Sequence, residues 1–273
     1  MTQKIDITIG FIGAGNMGSA IISGVLKSGF IPKSKVLVSD ISEVLLNKAK
    51  EEHDVHTTFD NKEVAEKSDV IFLCVKPNIY SIVIEEIKEI TKKGAIIVMI
   101  AAGQSLSGVT NKFNREDLKI VKTMPNTPSL VNEGMTAVCP GKNLTNEDIE
   151  LVITIFRTIG KAELLKEDLF DAFTGVAGSS PAYAFMFIEA LADAGVKYGL
   201  PRDLAMRFSA QSLLGAAKMV LETKSHPGDL KDAVCSPGGT TIAAVCELEA
   251  KGFRSAIIEG VSACVEQSIN MKD

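Results

Sequence analysis

Over the first 165 residues, short apolar runs closed by glycine, proline or an acidic residue alternate with stretches that are apolar at every third or fourth position. Ile7, Ile9, Phe11 and Ile12 form the first run, with strand chemistry, and Ala20, Ile21, Ile22, Val25 and Leu26 follow at helical spacing. Further strands are expected at 35–39, 69–75, 95–100, 119–123, 134–139 and 161–165. The nearly unbroken apolar run at 69–75 marks a strand covered on both faces. A helix is expected at 79–90. Another begins where Thr145 stands three residues before Asp148, carries Ile149, Val152, Ile153, Phe156 and Ile159 on its core face, and closes at Gly160. Strands and helices alternating through short loops predict a mostly parallel, doubly wound sheet.

From Glu167 onward the texture changes to helical periodicity without a clear strand. The stretch 171–189, poor in charge but broken by Gly175, Gly178, Ser179, Ser180 and Pro181, reads as a buried helical region rather than a membrane span. Leu200-Pro201 starts a helix whose buried stripe is Ala210, Leu213, Leu214, Ala217, Val220 and Leu221, and the last segment has a full apolar face through Phe253, Ile257, Val261 and Cys264. Gly175, Gly178, Gly195, Gly215 and Gly260 recur among these helices, each costing roughly 1 kcal/mol relative to alanine in a helix interior, and close helix–helix contact is the simplest offset. The expected organisation is an α/β domain over 1–165 and an all-α domain over 166–273 that pairs two subunits.

At 273 residues with 46% hydrophobic and 23% charged positions, the chain has ample material for a core, so disorder is excluded. Twenty-nine basic against 34 acidic residues, with no tryptophan, gives no electrostatic or stacking case for a nucleic-acid partner. No signal-peptide pattern precedes the first strand, and the expected compartment is the cytosol. Cys74, Cys139, Cys235, Cys246 and Cys264 are dispersed without a CxxC and read as reduced, apolar fillers; His53 and His56 lack companions at metal-ligand spacing.

Chemistry enters at Gly13-Ala14-Gly15-Asn16-Met17-Gly18, directly after the first strand and opening the first helix. Gly13 allows a sharp reversal, Gly15 keeps a Cβ away from a pyrophosphate, and Gly18 lets the helix lie close on the strand, so the helix N–H groups face an anion. That context predicts a dinucleotide site on a Rossmann-type sheet. Asp40 closes the second strand about twenty residues further on, where a carboxylate hydrogen-bonds ribose hydroxyls and repels a 2′-phosphate. Capping the helix that begins near Ser42 is an equal reading of the same residue. Lys76-Pro77 ends the third strand at the sheet's carboxyl edge, where open α/β sheets bind ligands.

The second dense signal is Cys235-Ser236-Pro237-Gly238-Gly239-Thr240-Thr241. Serine and proline set a turn, two glycines expose backbone N–H groups, and the threonines enter a helix, which is either a cradle for a carboxylate or phosphate or an ordinary capped helix. A nicotinamide fold joined to an anion-binding helix start suggests a reductase for a small carboxylate. Thr241, Lys76 and Glu167 are the candidate proton sources. A threonine hydroxyl is a poor acid for making an alcohol from a ketone, whereas an imine nitrogen is basic enough to be protonated before hydride arrives and needs only orienting.

GFIGAGNMG, FLCVKP, AAG, MPNTP, GSSPAYAF, GLPR, AAKM, HPGDLKD, SPGGTT and the GFR at Gly252 together resemble pyrroline-5-carboxylate reductase from the first strand to the last helix. HPGDLKDAVCSPGGTT is the most specific of these, being long and unexplained by the fold alone. The resemblance implies NAD(P)H-dependent reduction of 1-pyrroline-5-carboxylate to L-proline, the last step of proline biosynthesis. It implies cofactor contacts at residues 13–18, Asp40, Asn61, Val75, Lys76, Pro77 and Ala102. It places the substrate carboxylate at Ser236, Gly238, Gly239, Thr240 and Thr241, with Thr241 on the ring nitrogen and Glu167 in the pocket wall. An intertwined helical homodimer, assembled further into a decamer, is also implied. Where relatives that prefer NADPH tend to carry a small hydroxyl residue, this chain has Asp40, so NADH is expected to be at least competitive.

Two rivals remain at this level. A β-hydroxyacid dehydrogenase would want a lysine on the first long helix of the second domain, and residues 178–185 offer none. A dinucleotide-sensing regulator would keep the glycine turn but have no reason to retain a carboxylate cradle.

Overall fold

A computed structural model describes residues 6–100 and 103–271. Eight strands make one sheet: β1 Ile9–Ile12, β2 Val36–Ser39, β3 His56–Thr58, β4 Val70–Leu73, β5 Ile96–Met99, β6 Lys119–Met124, β7 Gly134–Pro140 and β8 Gly160–Leu164. Their order is β3-β2-β1-β4-β5-β6-β7-β8, and β6–β7 is the one antiparallel pair among them. The strand order reverses between β1 and β4, which opens a crevice at the carboxyl ends. The sheet is doubly wound, as its alternation of elements predicts.

Alternate residues of each strand feed two cores. Phe11, Val38, Phe72, Val98 and Val121 point to one face, under α1 Asn16–Lys27, α2 Glu43–His53 and α6 Asn146–Arg157. Ile12, Leu37, Ile71, Ile97 and Ile120 point to the other, under α3 Asn61–Lys67, α4 Tyr80–Ile87 and α5 Leu106–Phe113. Burial on both sides explains the unbroken apolar runs. On the first face the Phe11 and Phe72 rings stack with centroids 4.9 Å apart, and Phe156 meets Phe72 edge-on at 5.9 Å. The capping box of α6 is present, with the Asp148 N–H donating to Thr145 Oγ1 at 3.2 Å and the Thr145 N–H to Asp148 Oδ2 at 2.8 Å.

The chain divides into two compact units, Met1–Gly178 with Gln267–Asp273, and Ser179–Glu266. The first unit also contains the short helix α7 Phe170–Phe173 and a π-helical turn, Thr174–Gly178. Asn126 anchors that turn by donating to the Ala177 carbonyl at 2.8 Å. The second unit consists of α8 Ser180–Lys197, α9 Arg202–Thr223, α10 Pro227–Val234, α11 Thr240–Ala250 and most of α12 Phe253–Asn270. Gly195 lets α8 approach its neighbour, since a Cβ there would lie 3.1 Å from Leu200 and 3.2 Å from Ala205.

Here the structure corrects the sequence reading. The expected buried stripe of α9 is not covered by this chain: Leu214, Val220 and Leu221 are exposed, and Ala205 and Ser209 are buried in its place. Phe185, Met186, Ile257 and Ile258 are likewise exposed, so 171–189 is not a buried region within one subunit. Gly215 and Gly260 face open space rather than a helix of the same chain. The periodicity marks an apolar face that the described residues leave uncovered. No helix among the described residues is long and apolar enough to cross a membrane.

Candidate active site

The β1–α1 turn is shaped by its glycines. Gly13 adopts φ +104°, and a Cβ on it would lie 2.7 Å from the Cys74 carbonyl oxygen. A Cβ on Gly18 would lie 2.6 Å from the Gly13 carbonyl oxygen, so α1 sits against the turn only because that residue is glycine. Gly15, by contrast, meets nothing within 4 Å. It is the N-cap of α1, with no side chain bonded to the first helical N–H groups. Open space in front of an uncapped helix start fits a pyrophosphate. Asn16 is exposed, Met17 packs against the core, and Ala14 is buried.

Asp40 braces this turn. Its Oδ2 accepts from the Ala14 N–H at 2.7 Å and its Oδ1 from the Ser42 N–H at 2.8 Å, while Ser42 itself caps α2. The carboxylate thus links the glycine turn to the start of the second helix. Next to it, the Ser39 hydroxyl donates to Asn61 Oδ1 at 2.8 Å, and Asn61 Nδ2 donates to Glu86 Oε2 at 2.8 Å. These two bonds fix which way the Asn61 amide points. Glu86 was not singled out from the sequence, where it is one of two adjacent glutamates on an amphipathic helix and carries no signal.

At the carboxyl end of β4, the Cys74 N–H donates to the Ile12 carbonyl at 2.8 Å, and Val75, Lys76 and Pro77 turn the chain into α4. Lys76 is exposed. The Cys74 thiol lies beneath Gly18, and burial raises its pKa far above the ordinary thiol value. Ala102 lies outside the described residues.

Glu167 has two partners in the first unit. Its Oε1 accepts from the Leu106 N–H at 2.8 Å, at the start of α5, and from Lys122 Nζ at 3.1 Å. Lys122 is buried on β6, with its ammonium 4.8 Å over the Phe170 ring. Both bonds fall on one carboxyl oxygen, which ties Glu167 to the start of α5 and to β6. Lys122 was legible only as a lysine interrupting a strand. A cleft of about 1040 Å³ lies over α5 and Glu167, but its Arg115 spends four of its five N–H groups on Asp117 and on the Lys88 and Thr91 carbonyls.

In the second unit, the loop 235–239 leads into another helix start whose N-cap is a glycine. The Gly239 N–H donates to the Ser236 carbonyl at 3.0 Å, and a Cβ on Gly239 would lie 2.4 Å from Ser236 Oγ. Gly238 takes φ +68°, which favours glycine. Gly239 is the N-cap of α11 without a side-chain bond, so the N–H groups of Thr240 and Thr241 open that helix. Elsewhere Ser42, Asp60, Ser105 and Thr145 do bond their helix starts. The starts of α1 and α11 share a glycine N-cap with no side-chain bond, which leaves their first N–H groups open to an anion.

Comparisons with known proteins agree with this arrangement. The family model described as pyrroline-5-carboxylate reductase dimerisation matches residues 167–271, and one described as NADP oxidoreductase, coenzyme F420-dependent, matches 8–103. The pyrroline-5-carboxylate reductase of Escherichia coli is 48% identical over 260 residues, covering 95% of this chain and 96% of that protein. A pyrroline-5-carboxylate reductase structure from Coxiella burnetii superposes with TM-score 0.92 at 33% identity, covering 98% of this chain and all of the other. The Plasmodium falciparum pyrroline carboxylate reductase, solved with NADP bound, superposes with TM-score 0.88 at 33% identity over 98% of this chain and 99% of its own.

Proposed function

The chain belongs to the pyrroline-5-carboxylate reductase family, and on that premise we propose that it reduces the C=N bond of 1-pyrroline-5-carboxylate to L-proline with NADH or NADPH, the last step of proline biosynthesis. The observation that carries the reading is the pair of glycine-capped helix starts, one for each anion the reaction brings together.

Residues 13–18 hold the pyrophosphate on the α1 N–H groups, with Asp40 and Asn61 at the ribose and Val75, Lys76 and Pro77 towards the nicotinamide. Bound there, the reduced nicotinamide supplies hydride to the imine carbon. The chain itself does four things. N–H groups at Gly238, Thr240 and Thr241, with Ser236 and Gly239 shaping the turn, hold the substrate carboxylate; hydrogen bonds to a charged group are worth roughly 1.5–3 kcal/mol each. The Thr241 hydroxyl, on the second residue of α11, orients the ring nitrogen and accepts its proton in a hydrogen bond. Glu167 closes the pocket wall indirectly, by fixing the start of α5. Asp40 sets cofactor choice: its carboxylate bonds ribose hydroxyls and repels a 2′-phosphate, so NADH is at least competitive.

The cofactor part is taken as 1–165 and the substrate and pairing part as 166–273. The uncovered apolar faces of α8, α9 and α12 suit a homodimer, which could stack further into a decamer. The enzyme would work in the cytoplasm. Purified protein should oxidise NADH or NADPH only when pyrroline-5-carboxylate is added, with proline formed in equal amount; reduction of NAD+ or NADP+ by a β-hydroxyacid instead would favour that rival, and binding of NADH with no turnover would favour the regulator.

A further inference from the structure

Strands β4 and β5 part company one rung before their neighbours do. Their register pairs Val70 with Ile96 and Leu73 with Met99, and the Ile96 N–H donates to the Asp69 carbonyl at 2.9 Å. A parallel ladder repeats this bond every second residue, so the series calls for the Ile100 N–H on the Leu73 carbonyl. That bond is absent. The hydroxyl of Tyr80, a fully buried residue at the start of α4, stands in its place, donating to the Leu73 carbonyl at 2.8 Å and accepting from the Ile100 N–H at 3.1 Å. Two bonds through one oxygen hold the strands' polar groups roughly 4–5 Å apart, where a direct rung would hold them at ~2.9 Å.

The neighbouring seams stay closed. On one side the β1–β4 ladder runs on through the Cys74 N–H to the Ile12 carbonyl, and on the other the Thr123 hydroxyl donates to the Met99 carbonyl at 3.0 Å, tying β5 to β6. The split is therefore local to β4 and β5. It leaves the Val75 N–H and the Ile100 carbonyl, which a continued ladder would join, without a backbone partner among the described residues. A donor and an acceptor side by side at the carboxyl edge match a carboxamide, which offers one acceptor oxygen and an N–H₂ donor.

We infer that Tyr80 is a positioning residue: its hydroxyl is a wedge that keeps β4 and β5 apart so that the nicotinamide carboxamide of the cofactor can take the freed Val75 N–H and Ile100 carbonyl. The inference rests on the reductase reading of the glycine turn. It concerns one end of the cofactor only, so it can fail while that reading stands.

The test compares NADH with ADP-ribose, which lacks the nicotinamide, binding to wild type and to Tyr80→Phe by titration calorimetry. In the variant, NADH should bind at least fivefold more weakly while ADP-ribose binds as in wild type. Equal loss for both ligands, or no loss for either, overturns the wedge; failure of wild type to bind either ligand overturns the cofactor site itself. If Tyr80→Phe does not fold, amide hydrogen exchange on wild type decides. Exchange at Val75 should slow with NADH and not with ADP-ribose, and equal slowing, or none with NADH, overturns the wedge.

Discussion

Replacing Asp40 by serine removes a charge and a brace at once, and the two effects separate experimentally. A carboxylate at roughly 5 Å from a 2′-phosphate, in an effective dielectric of about 20–40, costs roughly 1.7–3.3 kcal/mol per unit of phosphate charge. Asp40→Ser should therefore raise the ratio of kcat/KM for NADPH to that for NADH by about 20- to 270-fold. The brace is the pair of bonds from the Ala14 and Ser42 N–H groups at 2.7 and 2.8 Å, which a serine hydroxyl is too short to span. Its loss should lower thermal stability by about 1–2 kcal/mol and weaken both cofactors together. Asp40→Asn separates the two, because it keeps an acceptor near Ala14 without the charge. Initial rates with each cofactor, beside melting curves, give both quantities. A selectivity ratio unchanged within about twofold in both variants would refute the electrostatic argument, since nothing else in it distinguishes the cofactors.

Thr241→Ala should lower kcat by about 100-fold or more, with the NADH dissociation constant near wild type, as read by steady-state rates and fluorescence titration; full activity would remove Thr241 from the mechanism. Lys122→Met should cost about 1–3 kcal/mol in urea unfolding, less than a fully buried pair because Glu167 is a third exposed, and adding Glu167→Gln should recover part of that loss. Burial holds the Cys74 thiol neutral well above its ordinary pKa, so native Cys74 should resist iodoacetamide at pH 8 while exposed Cys246 is alkylated, a contrast that peptide mass mapping reads and that unfolding should abolish.

Most of the sheet was legible because parallel strands buried on both faces write continuous apolar runs. Among the elements missed were α5, α10, and β3, whose His56, Thr57 and Thr58 form a short edge strand with no buried side chain, followed by α3, which buries only Val64 and Ala65. Such elements are held by register and capping rather than by their own apolar content. The glycine turn was readable in detail, since each glycine answers a separate steric demand. The stripe of α9 misled because periodicity reports that a face is apolar and not which chain covers it. Bonds across 45 or more residues, such as Lys122 to Glu167, leave no trace in local pattern. Asp40 shows the opposite case: ribose contact and helix cap were readings that could hold together, and its carboxylate bonds the Ala14 and Ser42 N–H groups while Ser42 caps α2, leaving the ribose role to experiment.

The central claim is that two amide-lined helix starts hold two anions so that hydride passes directly to the imine carbon. Turnover of pyrroline-5-carboxylate with NADH deuterated on the transferring face of C4, followed by mass spectrometry of the proline, tests it most directly. The account predicts one deuterium at the ring carbon across the nitrogen from the carboxylate-bearing carbon. Unlabelled proline, or no proline despite bound cofactor, would contradict it.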